Sequence, residues 1–364
     1  MNLHPANSRL RAPPGFQRAP HALKQVLIIK TSSLGDVVHT LPAVSDAAAV
    51  FPGIRFDWVV EEGIAEIPAW HPAVDRVITV ALRRWRKNWW QSEVREQRTT
   101  FRRSLSERPY DAVIDAQGLL KSAWLSLQAN GPTHGLSWSS AREPLASVAY
   151  RHRHPVAKGT HAIHRVRQLF ADSLGYPVPT SAPHCGIDRR HLRPADPGTP
   201  YVVFLHGTTW PTKHWPEPFW IQLAGLATAA GQRVLLPWGT PEEQQRAQRI
   251  AAAHPSAAIT VLPRLPLRDL AGILAGATGV IAVDTGLAHV AAALDVPAVT
   301  LYGPTEPGLT GTLGSTQTHL RATFPCAPCF RRTCNFTGPH PVEPPCFQSV
   351  PPTTVWNALR ALTA

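Results

Sequence analysis

The sequence predicts an α/β protein of two parallel-sheet domains, and three observations carry that expectation. The chain has 364 residues, too many for one ordinary core and suited to two. Short β-branched runs alternate with stretches of helical spacing, the pattern of strands covered on both faces by helices. A Pro-, Asp- and Arg-rich segment, Gly186–Pro200, interrupts this alternation, which restarts beyond it.

Residues 1–23 are rich in Pro, Arg and Ala without period and read as a flexible extension. They lack the apolar centre and cleavage site of a signal peptide, so a cytoplasmic protein is expected. No apolar run reaches the roughly 18 residues of a membrane span. The first domain, 24–185, has expected strands at Val26–Ile29, Ile54–Val60, Val77–Val80 and Ala112–Ala116, with a helix over Asp36–Val50. Residues 186–200 are the expected linker. In the second domain, 201–350, Val202–Leu205, Val234–Leu236, Ile259–Leu262, Val280–Val283 and Ala298–Leu301 read as strands. Helices fit Glu217–Ala230, Glu242–Ala253, Leu267–Ala275 and Gly286–Leu294. The tail, 351–364, carries a helix at Thr353–Leu362, with the first domain as a candidate packing partner. Two Rossmann-like halves facing a central cleft follow, with ligands at the C-terminal ends of the strands.

A net charge of +12 and a pI near 10.1 point to anionic partners: nucleic acid, an acidic lipid surface or phosphorylated small molecules. Between Arg83 and Arg103 there are eight basic residues against Glu93 and Glu96. Trp70, Trp85, Trp89 and Trp90 accompany them. Such a stretch suits a membrane interface or a phosphorylated headgroup; a plain solvated helix face is the alternative.

Chemistry is expected in three strand-end turns. In Lys30-Thr31-Ser32-Ser33-Leu34-Gly35-Asp36, small residues open a helix whose amides would be free for an anion, and Gly35 permits close approach. Asp36, in the first helical turn, is kept ionised there. It can cap the helix or take a proton from an attacking hydroxyl. Neither a dinucleotide fingerprint nor a P-loop is present. The second turn, His206-Gly207-Thr208-Thr209 with Lys213-His214-Trp215-Pro216, offers hydroxyls, amides and a cation for a diphosphate. The third, Val283-Asp284-Thr285-Gly286-Leu287-Ala288-His289, ends a buried strand and starts a helix, where Asp284 can equally be an N-cap. Glu242 and Glu243, after another strand, could accept from ribose hydroxyls. The Tyr302–Gly308 loop would close the cleft.

No Asp-x-Asp pair occurs, so a metal-bridged diphosphate is not expected. Cys326-x2-Cys329-x4-Cys334, with Cys346 further on, has a spacing that permits zinc, but its second pair is irregular and reduced thiols are the expected state. Cys185 stands alone. A disulfide framework does not suit the cytosol.

Together, these stretches resemble the bacterial lipopolysaccharide heptosyltransferases of glycosyltransferase family 9. The likeness also runs through Phe56–Gly63, Arg83–Lys87, Tyr110–Leu119 and Ala141–Ser147, in one order over most of the chain. The resemblance implies a GT-B fold and an inverting, metal-independent transfer without a cofactor. The donor would be ADP-L-glycero-β-D-manno-heptose (ADP-heptose), and the acceptor the inner Kdo of Kdo2-lipid A at the cytosolic face of the inner membrane. Asp36 falls on the family's catalytic base. Thr208, Thr209 and Lys213 fall on diphosphate contacts, Glu243 on a ribose contact, and Asp284, Thr285, Gly286 and His289 on heptose and phosphate contacts. The acceptor side would comprise Ser32, Ser33, Gly35, Arg83, Arg84, Arg86, Lys87, Gln117, Lys121 and Arg142. The resemblance further implies peripheral contact with an anionic membrane surface and a monomer.

Two features depart from the family pattern: the N-terminal extension, and a cysteine segment closer to the tail of the enzymes that add the second heptose. Addition of the second heptose is therefore the alternative reading. A nucleotide-sugar epimerase would need the absent dinucleotide fingerprint. A basic RNA-binding module would leave the paired loops unexplained, so no nucleic acid is expected.

Overall fold

The computed structural model describes residues 23–192, 199–254 and 258–364. Most of the expected N-terminal extension, residues 1–22, and residues 193–198 of the expected linker lie outside them. The first sheet contains β1 (Gln25–Ile29), β2 (Arg55–Glu61), β3 (Val74–Val80), β4 (Ala112–Asp115), β5 (Thr133–Leu136) and β6 (His152–His154), in the order β3-β2-β1-β4-β5-β6. The second contains β7 (Tyr201–Leu205), β8 (Arg233–Leu236), β9 (Ile259–Val261), β10 (Gly279–Val283), β11 (Ala298–Tyr302) and β12 (Gln317–Arg321), in the order β12-β11-β10-β7-β8-β9. The ladders are parallel. In each sheet the strand order reverses once, beside β1 and β4 and again beside β7 and β10. Ligand crevices open at such switch points, so the turns after these four strands define the site.

Expected and observed strands agree where apolar β-branched residues run together. β5, β6 and β12 were not anticipated. They are short or polar, rich in His, Thr and Gln, and lie at or next to a sheet edge, so they lack the apolar β-branched run that marks the other strands.

One expected helix is broken. Asp36–Val50 consists of a short helix, Leu34–Val38, and a second, Leu41–Val50, separated by His39 and Thr40. Pro42 explains the interruption: it has no N–H for the Val38 carbonyl and its ring would strike the preceding turn. Of the linker, Arg189–Leu192 forms a 3-10 turn and packs against the helix Leu267–Gly276.

Apolar packing is continuous between the halves. Val37, Leu41 and Val44 of the first share one cluster with Ala288, Ala291 and Leu294 of the second. A separate cluster lies under the far face of the second sheet. The final helix, Pro352–Thr363, belongs to that cluster rather than to the first domain. It packs on β10, β11 and the helix Glu217–Ala229 through Val355, Trp356 and Leu359, and Leu359 lies directly over Gly279. Among the described residues no helix is long and apolar enough to cross a membrane.

Candidate active site

The turn after β1 brings Asp36 to the cleft with its side chain 41% exposed. The capping reading of this carboxylate is realised. Its Oδ2 accepts from the Ser33 amide at 3.0 Å and the Ser33 hydroxyl at 2.7 Å, which ties the start of the helix. Its Oδ1 lies 3.6 Å from Nζ of the buried Lys30. Burial works against the charge, but Lys30 and the two Ser33 donors hold the carboxyl down at about 2. Asp36 is therefore ionised at any physiological pH.

The amides expected to be free for an anion are instead occupied. Gln117 Oε1 accepts from the Thr31 and Ser32 amides at 3.1 and 3.2 Å, and Asp36 takes the Ser33 amide. Gln117 is thus a clamp on the turn after β1. It is itself set by Asp115, a fully buried carboxylate at the end of β4. Asp115 Oδ1 accepts from the Gln117 and Gly118 amides, and its Oδ2 accepts from the Tyr150 hydroxyl at 2.7 Å. Burial raises the Asp115 carboxyl despite these donors.

Across the cleft, Lys213 Nζ meets Asp284 Oδ2 at 2.7 Å, and the Thr305 hydroxyl donates to the same oxygen at 2.6 Å. Asp284 is not the N-cap; Thr285 occupies that position. The carboxylate instead anchors the ammonium, which also lies over the Trp210 ring at 4.6 Å. The Thr208 hydroxyl donates to the Asp284 carbonyl, while Thr209 is exposed. Glu243 accepts from the Gly239 and Thr240 amides through Oε2 and presses against Gly207. Two groups here had no sequence signal of their own. Thr305 reaches Asp284 over 21 residues, and Arg246 donates to the His206 carbonyl and faces His214 Nδ1 at 2.8 Å.

The two halves touch at the site itself. His39 Nε2 lies 3.0 Å from His289 Nδ1. A Cβ on Gly35 would stand 2.7 Å from the His289 ring, and a Cβ on Gly286 would stand 2.9 Å from Leu34. The close approach that Gly35 permits is thus to His289. Further along the same boundary, His161 Nε2 stands 3.0 Å from the Gly311 carbonyl. Burial lowers His289 to about 4, and its ring senses Asp284, Asp36 and Lys213 together. That single side chain is therefore the electrostatic meeting point of Asp36 on one half and the Lys213–Asp284 pair on the other.

The basic stretch divides. Arg84 is engaged with Glu62 through both carboxylate oxygens and with Gln97, and Trp85 is buried. Arg83, Arg86 and Lys87 are exposed. Arg83 and Lys121 face Glu61, whose carboxyl is nevertheless raised by burial and whose amide donates to the Thr31 carbonyl. These two cations therefore act on the end of β2 that bonds the turn carrying Asp36. Arg142 is exposed beside the Gly118 turn.

Cys326, Cys329, Cys334 and Cys346 line one cavity of about 380 Å³ beside Gly303 and Pro304. All are free thiols; burial, and then the neighbouring cysteines, push Cys346 up to about 12. Among the described residues no group of three or more Cys, His, Asp or Glu stands in metal-binding geometry. Cys185 is half-buried.

A family model described as glycosyltransferase family 9 (heptosyltransferase) matches residues 98–340. Over 351 residues the chain is 56% identical to lipopolysaccharide heptosyltransferase 1 of Pseudomonas aeruginosa, covering 93% of this chain and 98% of that one. A solved structure of the E. coli heptosyltransferase WaaC with ADP matches with a TM-score of 0.79 at 53% identity, over 82% of this chain and 93% of that one. The same enzyme with ADP-2-deoxy-2-fluoro heptose matches with a TM-score of 0.76 at 52% identity, over the same shares of the two chains.

Proposed function

Because the chain belongs to glycosyltransferase family 9, the heptosyltransferases, we propose that it moves L-glycero-D-manno-heptose from ADP-heptose to the inner Kdo of Kdo2-lipid A. Its two facing sheets form a GT-B fold. The observation that carries the reading is the opposition of an ionised Asp36 on one half to the Lys213–Asp284 pair on the other.

In this mechanism a Kdo hydroxyl attacks the anomeric carbon of heptose while the bond from that carbon to the ADP oxygen breaks, with inversion. Asp36 accepts the hydroxyl proton. A carboxylate this acidic is a weak base towards a free alcohol, but the hydroxyl becomes strongly acidic once its oxygen begins to bond to carbon. ADP departs with its charge met by Lys213, the Thr208–Thr209 turn and the start of the helix Gly286–Ala293. Asp284 and Thr305 act by holding Lys213 in place. Glu243 keeps Oε1 for a ribose hydroxyl while its Oε2 caps the helix. On the acceptor side, Arg83, Arg86, Lys87 and Lys121 offer cations to phosphates and carboxylates, and Gln117 holds the turn that carries the base.

Lys213 and the helix start take the role a bridging metal would have, so the transfer is proposed to need none. The enzyme is proposed to act as a monomer at the cytosolic face of the inner membrane, where the acceptor's lipid resides. First-heptose rather than second-heptose transfer is favoured by the 56% identity to a heptosyltransferase 1. Product analysis with purified ADP-heptose tests this against Kdo2-lipid A and its monoheptosylated form. Transfer to Kdo2-lipid A alone is expected. Transfer only to the monoheptosylated form would assign the second step, and transfer to neither would remove the reading.

A further inference from the structure

The cysteine-bearing segment departs from the family pattern, yet it is bonded to both loops that set the Lys213–Asp284 pair. The Thr212 hydroxyl, one residue before Lys213, donates to the Arg331 carbonyl at 2.6 Å, across 119 residues of chain. The Phe330 amide donates to the Pro304 carbonyl at 2.8 Å, one residue before Thr305, whose hydroxyl binds Asp284. A Cβ on Gly303 would stand 3.2 Å from Cys346 Sγ, so the far end of the segment presses on the same loop.

Trp210 makes a third contact. Its half-buried ring carries Lys213 Nζ at 4.6 Å from the centroid and the Arg332 guanidinium at 5.1 Å. The turn after β7 and the cysteine segment thus each place a cation on one indole. The two cations differ in what neutralises them. Lys213 is matched by Asp284 at 2.7 Å, whereas the exposed Arg332 forms no ion pair with any described residue.

Like charges gathered on one ring repel each other, and the aromatic face offsets only part of that cost. The arrangement becomes favourable when a polyanion joins them. A guanidinium adds what an ammonium lacks, a planar fork that takes two phosphate oxygens at once. It also supplies net charge. Lys213 and Asp284 together sum to zero, so the negative charge that grows on a departing phosphate calls for a cation without a counter-ion. A solvated surface arginine is the plain alternative, and it predicts that removing the guanidinium changes nothing at the donor site.

We infer that Arg332 is a further donor-binding residue, held on Trp210 to meet the phosphate oxygens of a nucleoside diphosphate alongside Lys213. The inference rests on the proposed nucleotide-sugar donor and extends its site to a segment outside the three strand-end turns. The Arg331 carbonyl fixes that segment to the Lys213 turn, and the adjacent Arg332 is thereby kept beside Lys213.

The test is calorimetric titration of the full chain with ADP, and with adenosine as the ligand that lacks phosphate. Arg332→Gln should weaken ADP binding about tenfold. It should leave adenosine binding and the urea midpoint unchanged. The loss should narrow in high salt. Arg332→Lys keeps the charge without the fork and should stand about threefold below the wild type. Trp210→Leu should weaken ADP binding too, and Arg332→Gln added to it should cost less than about twofold more. An ADP affinity unchanged in Arg332→Gln, an equal loss of adenosine and ADP binding, or full additivity of the two substitutions would each overturn the inference. ADP binding that depends on Arg332, in an enzyme that transfers heptose to neither acceptor, would support the inference and remove the proposed reaction. Unchanged ADP affinity in Arg332→Gln, beside transfer by the wild type, would remove Arg332 and leave the reaction standing.

Discussion

His39 and His289 stand on opposite halves of the protein, 250 residues apart, with His39 Nε2 3.0 Å from His289 Nδ1. Burial is the first cause lowering both, so at neutral pH one ring donates to the lone pair of the other. His39→Ala leaves the His289 nitrogen buried without a partner, at a cost of about 1–3 kcal/mol. Turnover should fall at least tenfold, and donor KM should rise. His39→Gln, which restores a donor and acceptor near Nε2, should recover most of both. Equal kinetics for the Ala variant and the wild type would remove His39 from the positioning of the site.

Asp36→Asn should cost orders of magnitude in turnover while leaving ADP affinity nearly intact. The Asn oxygen can still accept from Ser33, so the helix start survives the exchange. Asp36→Ala removes that acceptor too and should lower stability by a further 0.5–2 kcal/mol, roughly the worth of a helix cap. Near-normal turnover of the Asn variant would rule out Asp36 as the base.

Lys213→Ala strands a nearly buried Asp284. Breaking such a pair costs about 3 kcal/mol, so the variant should be less stable as well as weak in donor binding. Adding Asp284→Asn should restore much of the stability without restoring ADP-heptose affinity. Calorimetric titration beside urea denaturation separates the two effects. If stability and affinity returned together, Lys213 would have no contact with the donor.

Several histidines fold neutral. Burial, the first cause in each case, holds His71, His161, His206 and His289 near 4 and His134 near 3. The unfolded chain binds protons at these positions from about pH 6.5 downward, and the folded protein does not. Their stabilising contribution is therefore complete above pH 6.5 and is lost as pH falls towards 4, by at most about 2 kcal/mol each at pH 5. Asp36, depressed rather than buried neutral, acts in a lower window, between about 4 and about 2. The urea midpoint should drop clearly from pH 7.5 to pH 5; a constant midpoint would contradict neutral burial.

The parts of the site readable from sequence are those set by local chain chemistry. A buried apolar strand followed by small polar residues and a helix marks the ends of β1, β7 and β10, and Asp36, Lys213 and Asp284 lie there. Their partners carry no such mark. Gln117 reaches Thr31 over 86 residues and His39 reaches His289 over 250, so only the assembled sheets reveal that one clamps and the other bridges. The same distinction holds for the fold. Strands compelled by burial were foreseen, whereas β5, β6 and β12, short or polar and lying at or beside the sheet edges, were not. The break at Pro42 was available in the residue itself, but the apolar spacing through Val50 outweighed it.

Two hydrogen atoms, on Gly35 and Gly286, stand where any other residue would carry carbon, and at both points the opposite half occupies the space that carbon would take. The gauge of the cleft is thereby written in two codons. A methyl at either would act as a shim at the very edge of the site, at Gly35 against the His289 ring and at Gly286 against Leu34, parting Asp36 from Lys213 by a fraction of a bond length. Enzymes of this architecture are thus open to re-gauging for bulkier acceptors by a change that replaces no functional side chain.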